Sequence, residues 1–367
     1  MNFARPEEFF RMFHPRDGQA GNLVLHRRRQ KSYVQTQIST IDLAKISRQA
    51  CGLEEIYFST AAFSGQPLLL NFSHSNCLHL QVPKVEWNTY ILLTLRLENK
   101  GIPLPTATVF DGEKYTLLWI LETPIKNHEF YIYTLLQQAL HEAAIGFNPE
   151  KCNLDIAFLV RMVGSVNRNT RKHVGLVNDY GKVYSRSYLE GAILKSKQLT
   201  AIEVLNLQTQ AGITLELMSL IGDRWFSTAQ NPELFYDWLI FFGSSLCNFC
   251  TPEQLFKELC AIAESLEANQ WKKICEKYLV LIKSIIETAR LGYINFEGIH
   301  LSINEPNWRD MIKGKLAITS AEQEHLGLQV LGNQSSISPH LHRINKSVHP
   351  IGTTEFVPLG RFLLQKV

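Results

Sequence analysis

The sequence predicts an α/β (α+β) domain with a mixed sheet, followed by an all-α helical bundle, and three observations carry that expectation. Between Ile56 and Tyr184, apolar runs of strand length alternate with longer segments of helical periodicity. From Ser185 to Leu291 only helical patterning occurs, with strong start signals. At 367 residues the chain exceeds what one ordinary core organises, so two domains are the default.

The elements follow in order. Strands are expected at Ile56–Phe63, Leu68–Phe72 and Cys77–Val82, separated by Gly65, Pro67 and the Ser73–Asn76 turn. A helix fits Val85–Lys100, rich in Trp87, Tyr90, Ile91, Leu93, Leu95 and Leu97, and stopped by Gly101 and Pro103. Strands Thr106–Phe110 and Tyr115–Glu122 flank the tight turn Asp111–Lys114. Asn127 opens a helix to Ile145, ended by Gly146, and a hairpin joins Val174–Val177 to Lys182–Tyr184. Beyond that, Thr200–Glu203 and Thr251–Gln254 read as capping boxes, Asn231-Pro232-Glu233 as another helix start, and Asn269–Leu291 as a long amphipathic helix. The expected organisation is therefore a basic, polar extension over 1–50, the α/β domain over 51–195, the bundle over 196–292 and a C-terminal extension over 293–367. Within the last, Gly332–Pro350 reads as loop or disordered segment, and Phe356–Leu364 is apolar enough to dock.

Composition narrows the function classes. A net charge of +3 permits nucleic acid as a partner without demanding it, so any basic patch must be local. No run of about 18 apolar residues occurs, which argues against a membrane span. The opening MNFARPEEFFRMFHPRDG carries charges where a secretory apolar core would sit. The 7 cysteines, odd in number and scattered, fit reduced thiols, so the expected location is cytoplasmic.

The candidate chemistry lies in four blocks: Ile56–Ser59 with Phe63; Gly101–Pro105 leading into Thr106–Phe110; Phe110–Trp119; and Asp155…Arg161-x-x-Gly164-Ser165-x-Asn167. Together they resemble the archaeo-eukaryotic primase superfamily, in its plasmid replication primase type, with degenerate catalytic motifs. The resemblance implies a nucleotidyltransferase fold that holds Mg²⁺ or Mn²⁺ through carboxylates and takes single-stranded DNA and nucleotides, with other replication proteins as further partners and no membrane. It also places the metal-binding acid pair on the strand before helix 85–100, where this chain has His79 and Gln81. The implied metal and catalytic set is then Asp155 and His79, with Asp111 as a further ligand. The implied nucleotide and phosphate contacts are Lys114, Thr116, Arg161, Ser165, Asn167 and Arg168.

Two readings stay open at this point. One is a replication primase with an impaired metal site; the other is a non-catalytic DNA-binding module on the same fold. A more distant rival is a phosphoryl-transfer or nuclease-like site built from Asp111, Glu113 and Asp155. Arg161, Arg168, Arg171, Lys172 and His173 form a phosphate-facing patch in the functional reading, with Tyr115 or Trp119 as stacking surfaces; the plainer alternative is a solvated turn in which Arg161 pairs with Asp155. Trp119, inside an apolar strand, reads as core. Arg27–Lys31 is either a nucleic-acid contact or a solvated face. Cys247-x-x-Cys250 lacks a second ligand pair, so buried thiols are expected rather than zinc, and His340, His342 and His349 read as loop residues.

Overall fold

The computed structural model describes residues 23–29, 32–38, 51–64, 66–179, 182–197, 201–224, 232–266, 280, 283–287, 293–296, 299–302 and 307–332. The expectations for the side chains of Arg27–Lys31, for Thr200, Asn231, most of Asn269–Leu291, nearly all of Gly332–Pro350 with its histidines, and Phe356–Leu364 lie outside the described residues. The chain divides into two units, 1–204 with 249–254, and 205–248 with 255–367.

The first unit is built on two antiparallel sheets. One has the order β2-β1-β3-β8, formed by β1 (Leu23–Arg29), β2 (Ser32–Ile38), β3 (Ile56–Ser59) and β8 (Leu159–Arg161). The other has the order β11-β6-β7-β5-β4. Its strands are β4 (Ala61–Phe63), β5 (Phe72–Pro83), β6 (Ala107–Phe110), β7 (Lys114–Lys126) and β11 (Gly175–Asp179). Parallel pairing enters through isolated bridges, Glu54 to Val166 and Leu121 to Tyr184. Ile56, Phe58 and Val160 from the first sheet meet Cys77, Ala107, Val109, Leu118, Ile120 and Leu176 from the second in one apolar core.

β5 and β7 show why the second sheet has its shape. β7 carries the continuous apolar run Leu117–Leu121, the pattern of a strand covered on both faces, whereas β5 places His79 and Gln81 between its apolar residues. Leu78, Leu80, Leu117 and Trp119 are accordingly buried, as is every residue from Cys77 to Leu80. Trp119 is core, as expected, with its indole N–H donating to the carbonyl of Pro103 at 2.8 Å. Helices of this unit include α1 (Thr89–Asn99), α2 (Phe130–Ala143) and α3 (Arg186–Lys197), with α2 turning a broad apolar face inward through Tyr133, Leu136 and Leu140.

Several elements differ from their sequence expectation. Residues 1–50, read as an extension, supply β1 and β2, and β1 pairs with β3. Leu68–Phe72 forms a short 3-10 turn over Leu69–Asn71 before β5 begins. Val174–Val177 does not pair with Lys182–Tyr184: β11 joins β6 instead, and Tyr184 bridges Leu121. The β11 ladder runs along β6, pairing Gly175, Leu176, Asn178 and Asp179 with it.

The second unit is mainly helical. It includes parts of α4 (Ala201–Asp223) and α6 (Pro252–Leu266), all of α5 (Pro232–Leu246), and the later helices α7 (Asn307–Lys315) and α8 (Ser320–Leu326). Trp238, Phe241, Phe242 and Trp308 are buried here, with Phe241 edge-on to Trp308 at 5.5 Å. A hairpin of Tyr293–Phe296 and Ile299–Ser302 interrupts the helices where the sequence has weak periodicity. Cys247 donates to the carbonyl of Ser244, and burial pushes its thiol up to about 12, so it behaves as a packed thiol.

Candidate nucleic-acid interface

The positions expected to hold a metal ion are each hydrogen-bonded within the fold. Past the short strand β4, the outer edge of β5 has no strand partner among the described residues, and its backbone groups find other acceptors and donors. Two side-chain amides supply them. Gln137 accepts from the His79 N–H at 3.2 Å and donates to the His79 carbonyl at 3.0 Å, while Asn153 accepts from the Gln81 N–H at 2.7 Å and donates to its carbonyl at 2.9 Å. Gln137 also donates to the Asn153 carbonyl at 2.7 Å, so the two amides are tied together.

His79 is fully buried. Its ring stacks on Phe158 at 3.8 Å and 9°, and its Nδ1 lies 3.2 Å from the Tyr133 hydroxyl. Burial drives its pKa down to about 3, so the ring is neutral at neutral pH and acts as an aromatic core residue. The Gln81 amide donates to Thr116 Oγ1 at 3.0 Å, which occupies both residues inside the sheet.

The acids are engaged as well. Asp155 accepts from the backbone N–H and the hydroxyl of Thr251, each at 2.9 Å. It thereby holds the segment 249–254, whose Phe249 ring meets Phe130 edge-on at 4.7 Å. Thr251 in turn caps α6 by accepting from the Gln254 N–H. Asp111 Oδ1 accepts from the N–H groups of Glu113 and Lys114 at 3.0 and 2.8 Å, and its Oδ2 takes Arg161 Nε at 3.0 Å. His79, Asp111 and Asp155 therefore belong to three separate hydrogen-bond arrangements. Among the described residues no group of three or more His, Cys, Asp or Glu could hold a metal ion. The donor set does not fit the expected Mg²⁺ or Mn²⁺, because such an ion wants several converging oxygens, whereas His79 is a buried ring and Asp111 is paired with Arg161.

Arg161 does not pair with Asp155. It lies between Glu55 and Asp111, over the ring of Tyr57 at 4.8 Å, with side-chain exposure of only 12%. Burial pushes the Glu55 carboxyl up, but bonds from Arg161, from the Tyr57 hydroxyl at 2.7 Å and from the Arg168 N–H at 3.1 Å outweigh it and hold the group below its ordinary value. The remaining motif residues also serve the fold. Gly164 has φ +88°, a conformation that favours glycine, and lets the chain turn so that its N–H reaches Val174. Ser165 donates to the Met162 carbonyl at 2.6 Å, and Asn167 donates to the Asp111 carbonyl at 2.9 Å and to Glu113 at 3.3 Å.

What these bonds position is an exposed basic hairpin. β9 (Val166–Asn167) pairs with β10 (Lys172–His173), and Arg168, Arg171, Lys172 and His173 all face solvent. Arg171, with φ +57°, forms an exposed ion pair with Glu54 at 2.6 Å. Arg168 and Lys172 carry no ion pair among the described residues. Of the expected phosphate contacts, Lys114 is half-buried against Glu150 at 2.9 Å, Thr116, Ser165 and Asn167 are buried, and Arg168 is open to solvent. Sequence reasoning missed Glu54 and Glu55; their adjacency before the first apolar strand, opposite in charge to the later arginines, is the signal that could have found them.

No family model matches the chain. A curated replication protein of Clostridium perfringens is 22% identical over 96 residues, which is 26% of this chain and 23% of that protein. Among solved structures, the chain is similar to the archaeo-eukaryotic primase domain of the cyanophage S-2L primase-polymerase, at 15% identity and a TM-score of 0.36 over 48% of this chain and 89% of that one. It is also similar to the catalytic domain of primase RepB′ in complex with initiator DNA, at 11% identity and a TM-score of 0.35 over 53% and 96%. Primase RepB′ itself is matched at 11% identity and a TM-score of 0.35 over 78% of this chain and 98% of that one. Among the described residues no helix is long and apolar enough to cross a membrane.

Proposed function

We propose that this chain is a replication protein of plasmid or mobile-element type, whose primase-like unit binds single-stranded DNA and does not polymerise nucleotides. One observation supports this above the others: the motif around Arg161–Asn167 is spent on internal bonds, and what it presents outward is the cationic hairpin Arg168–His173. Exposed Arg and Lys at a fixed turn suit phosphate contact, which positions a nucleic-acid backbone without reading its bases. The match to a replication protein supports the biological setting.

The non-catalytic reading rests on the donor atoms. A two-metal reaction needs several carboxylates converging on the ions, and among the described residues no such group occurs, while His79 is a neutral core ring and Asp111 is paired with Arg161. The test is primer synthesis on single-stranded DNA with Mn²⁺, run beside binding of the same template. The expected result is binding without product, with binding weakened in R168Q/K172Q and retained in D155N. Primer product from the wild type that disappears in D155N would restore the nucleotidyltransferase reading.

A further inference from the structure

Just before α1, the chain displays an indole that the sequence placed within the helix 85–100. Trp87 is 91% exposed. It does not hang from a loose loop. The Lys84 N–H donates to the Glu113 carbonyl at 2.7 Å, and the turn is closed where Thr89 Oγ1 accepts from the Glu86 N–H at 2.7 Å and donates to the Glu86 carbonyl at 2.8 Å. The Lys84 ammonium lies 5.7 Å from the Trp87 ring and 5.5 Å from the Phe110 ring, so one cation serves both. Behind Phe110, Tyr115 stacks at 4.6 Å and Tyr90 follows at 5.6 Å from Tyr115, which backs the surface with aromatic packing.

This aromatic row joins the basic hairpin. Phe110 leads directly into the Asp111–Lys114 turn, and that turn touches the hairpin so closely that a Cβ on Gly112 would lie 2.5 Å from Thr170 Oγ1 and 3.3 Å from Lys172 Cβ. The acids nearby are Glu86 on the loop, Glu113 against Asn167 and Glu150 against Lys114.

We infer that Trp87 and Phe110, with Lys84 between them, form a base-stacking platform for unpaired nucleotides whose phosphates continue onto Arg168 and Lys172. The inference rests on the DNA-binding reading above and adds the bases to it. Rings interleaved with cations are the arrangement that holds single strands without sequence preference, since every base offers a π-face. The rival occupant is a second copy of the chain, docking along Trp87 and, on α1, Ile91 and Leu95, all at least half exposed. A lysine at the centre of the patch disfavours it, because protein interfaces deplete lysine from their cores.

The experiment measures binding of a labelled oligothymidylate to the full chain across a salt series, for wild type, W87A, W87F and R168Q/K172Q. W87A is expected to weaken binding about tenfold or more, the effect of losing a stacked base, with the salt slope unchanged. W87F restores most of the affinity, since the ring and not the indole N–H does the stacking. W87A with wild-type affinity overturns the platform, and if R168Q/K172Q still weakens binding, the DNA-binding reading survives alone. A wild type without affinity for the oligonucleotide removes both. W87A that abolishes self-association in sedimentation while leaving DNA affinity intact gives the face to a second copy and overturns the inference.

Discussion

The inner face around His79, Gln81 and Asp155 and the rim around Lys84, Trp87 and Arg168 lie in the same unit, and they treat polar groups in opposite ways. Inside, ring and amide side chains bond to their neighbours, and Gln137 and Asn153 stand in for a missing strand. At the rim, a tryptophan and several cations face water while their backbones are pinned by nearby bonds. Burying a polar group without a partner is costly, so these interior groups bond to their neighbours, His79 Nε2 excepted, and serve the structure. An exposed ring on a fixed backbone has the reverse character: little reason for stability, and a surface ready for a ligand. In this protein the residues of the late motif bond inside the fold, and the exposed ring and cations lie beside them.

That contrast can be broken at its centre. R161M leaves Glu55 and Asp111 as facing acids with no cation between them, and should cost about 3–5 kcal/mol in urea denaturation, the scale of removing one partner from a buried ion cluster. A loss below about 1 kcal/mol would mean the cluster is solvated enough to be dispensable. D155A should come next, at about 1–3 kcal/mol, because it removes the acceptor of two bonds donated by Thr251. Its signature is local: faster hydrogen exchange over 249–254, and no change in any metal dependence.

At the rim the expected effects are on binding. R168Q/K172Q should make log Kd against log salt shallower by roughly 0.7 for each phosphate left without its cation, with unfolding free energy unchanged. An unaltered slope would move the phosphate path elsewhere. The smallest effect is on acid stability in the second unit. Arg224 holds the Glu322 carboxyl down to about 2, against an ordinary 4.5. A depressed carboxyl contributes stability that is present above its unfolded value and lost as pH falls toward the folded one. The difference in thermal midpoint between wild type and E322Q should therefore shrink between pH about 4.5 and about 2; a gap that stays constant would mean that Arg224 does not set it.

Much of the fold could be read from residue order. The runs that became β5 and β7, the turn at Asp111–Lys114, the α2 face and the buried Trp119 all follow from local apolar pattern and turn chemistry, which act over a few residues. The site was less accessible. Spacing identified Asp155, Arg161 and Asn167 as residues with a purpose, but spacing cannot say which acid meets which base. Arg161 found Glu55, more than a hundred positions earlier, and Asp155 found Thr251, nearly as far in the other direction. Trp87 shows the same limit from the other side: helical periodicity assigned it to an apolar stretch, and the turn at Glu86–Thr89 carried it into solvent.

The sequence by itself determined that an α/β unit with a basic late motif precedes helices, because periodicity and turn residues are local properties of the chain. Tertiary structure alone decided that the motif would be scaffold and the rim would be exposed. Partner choice in hydrogen bonds and ion pairs depends on which strands become neighbours, and burial, which sets whether His79 is a base or a ring in the core, exists only once the sheets have packed.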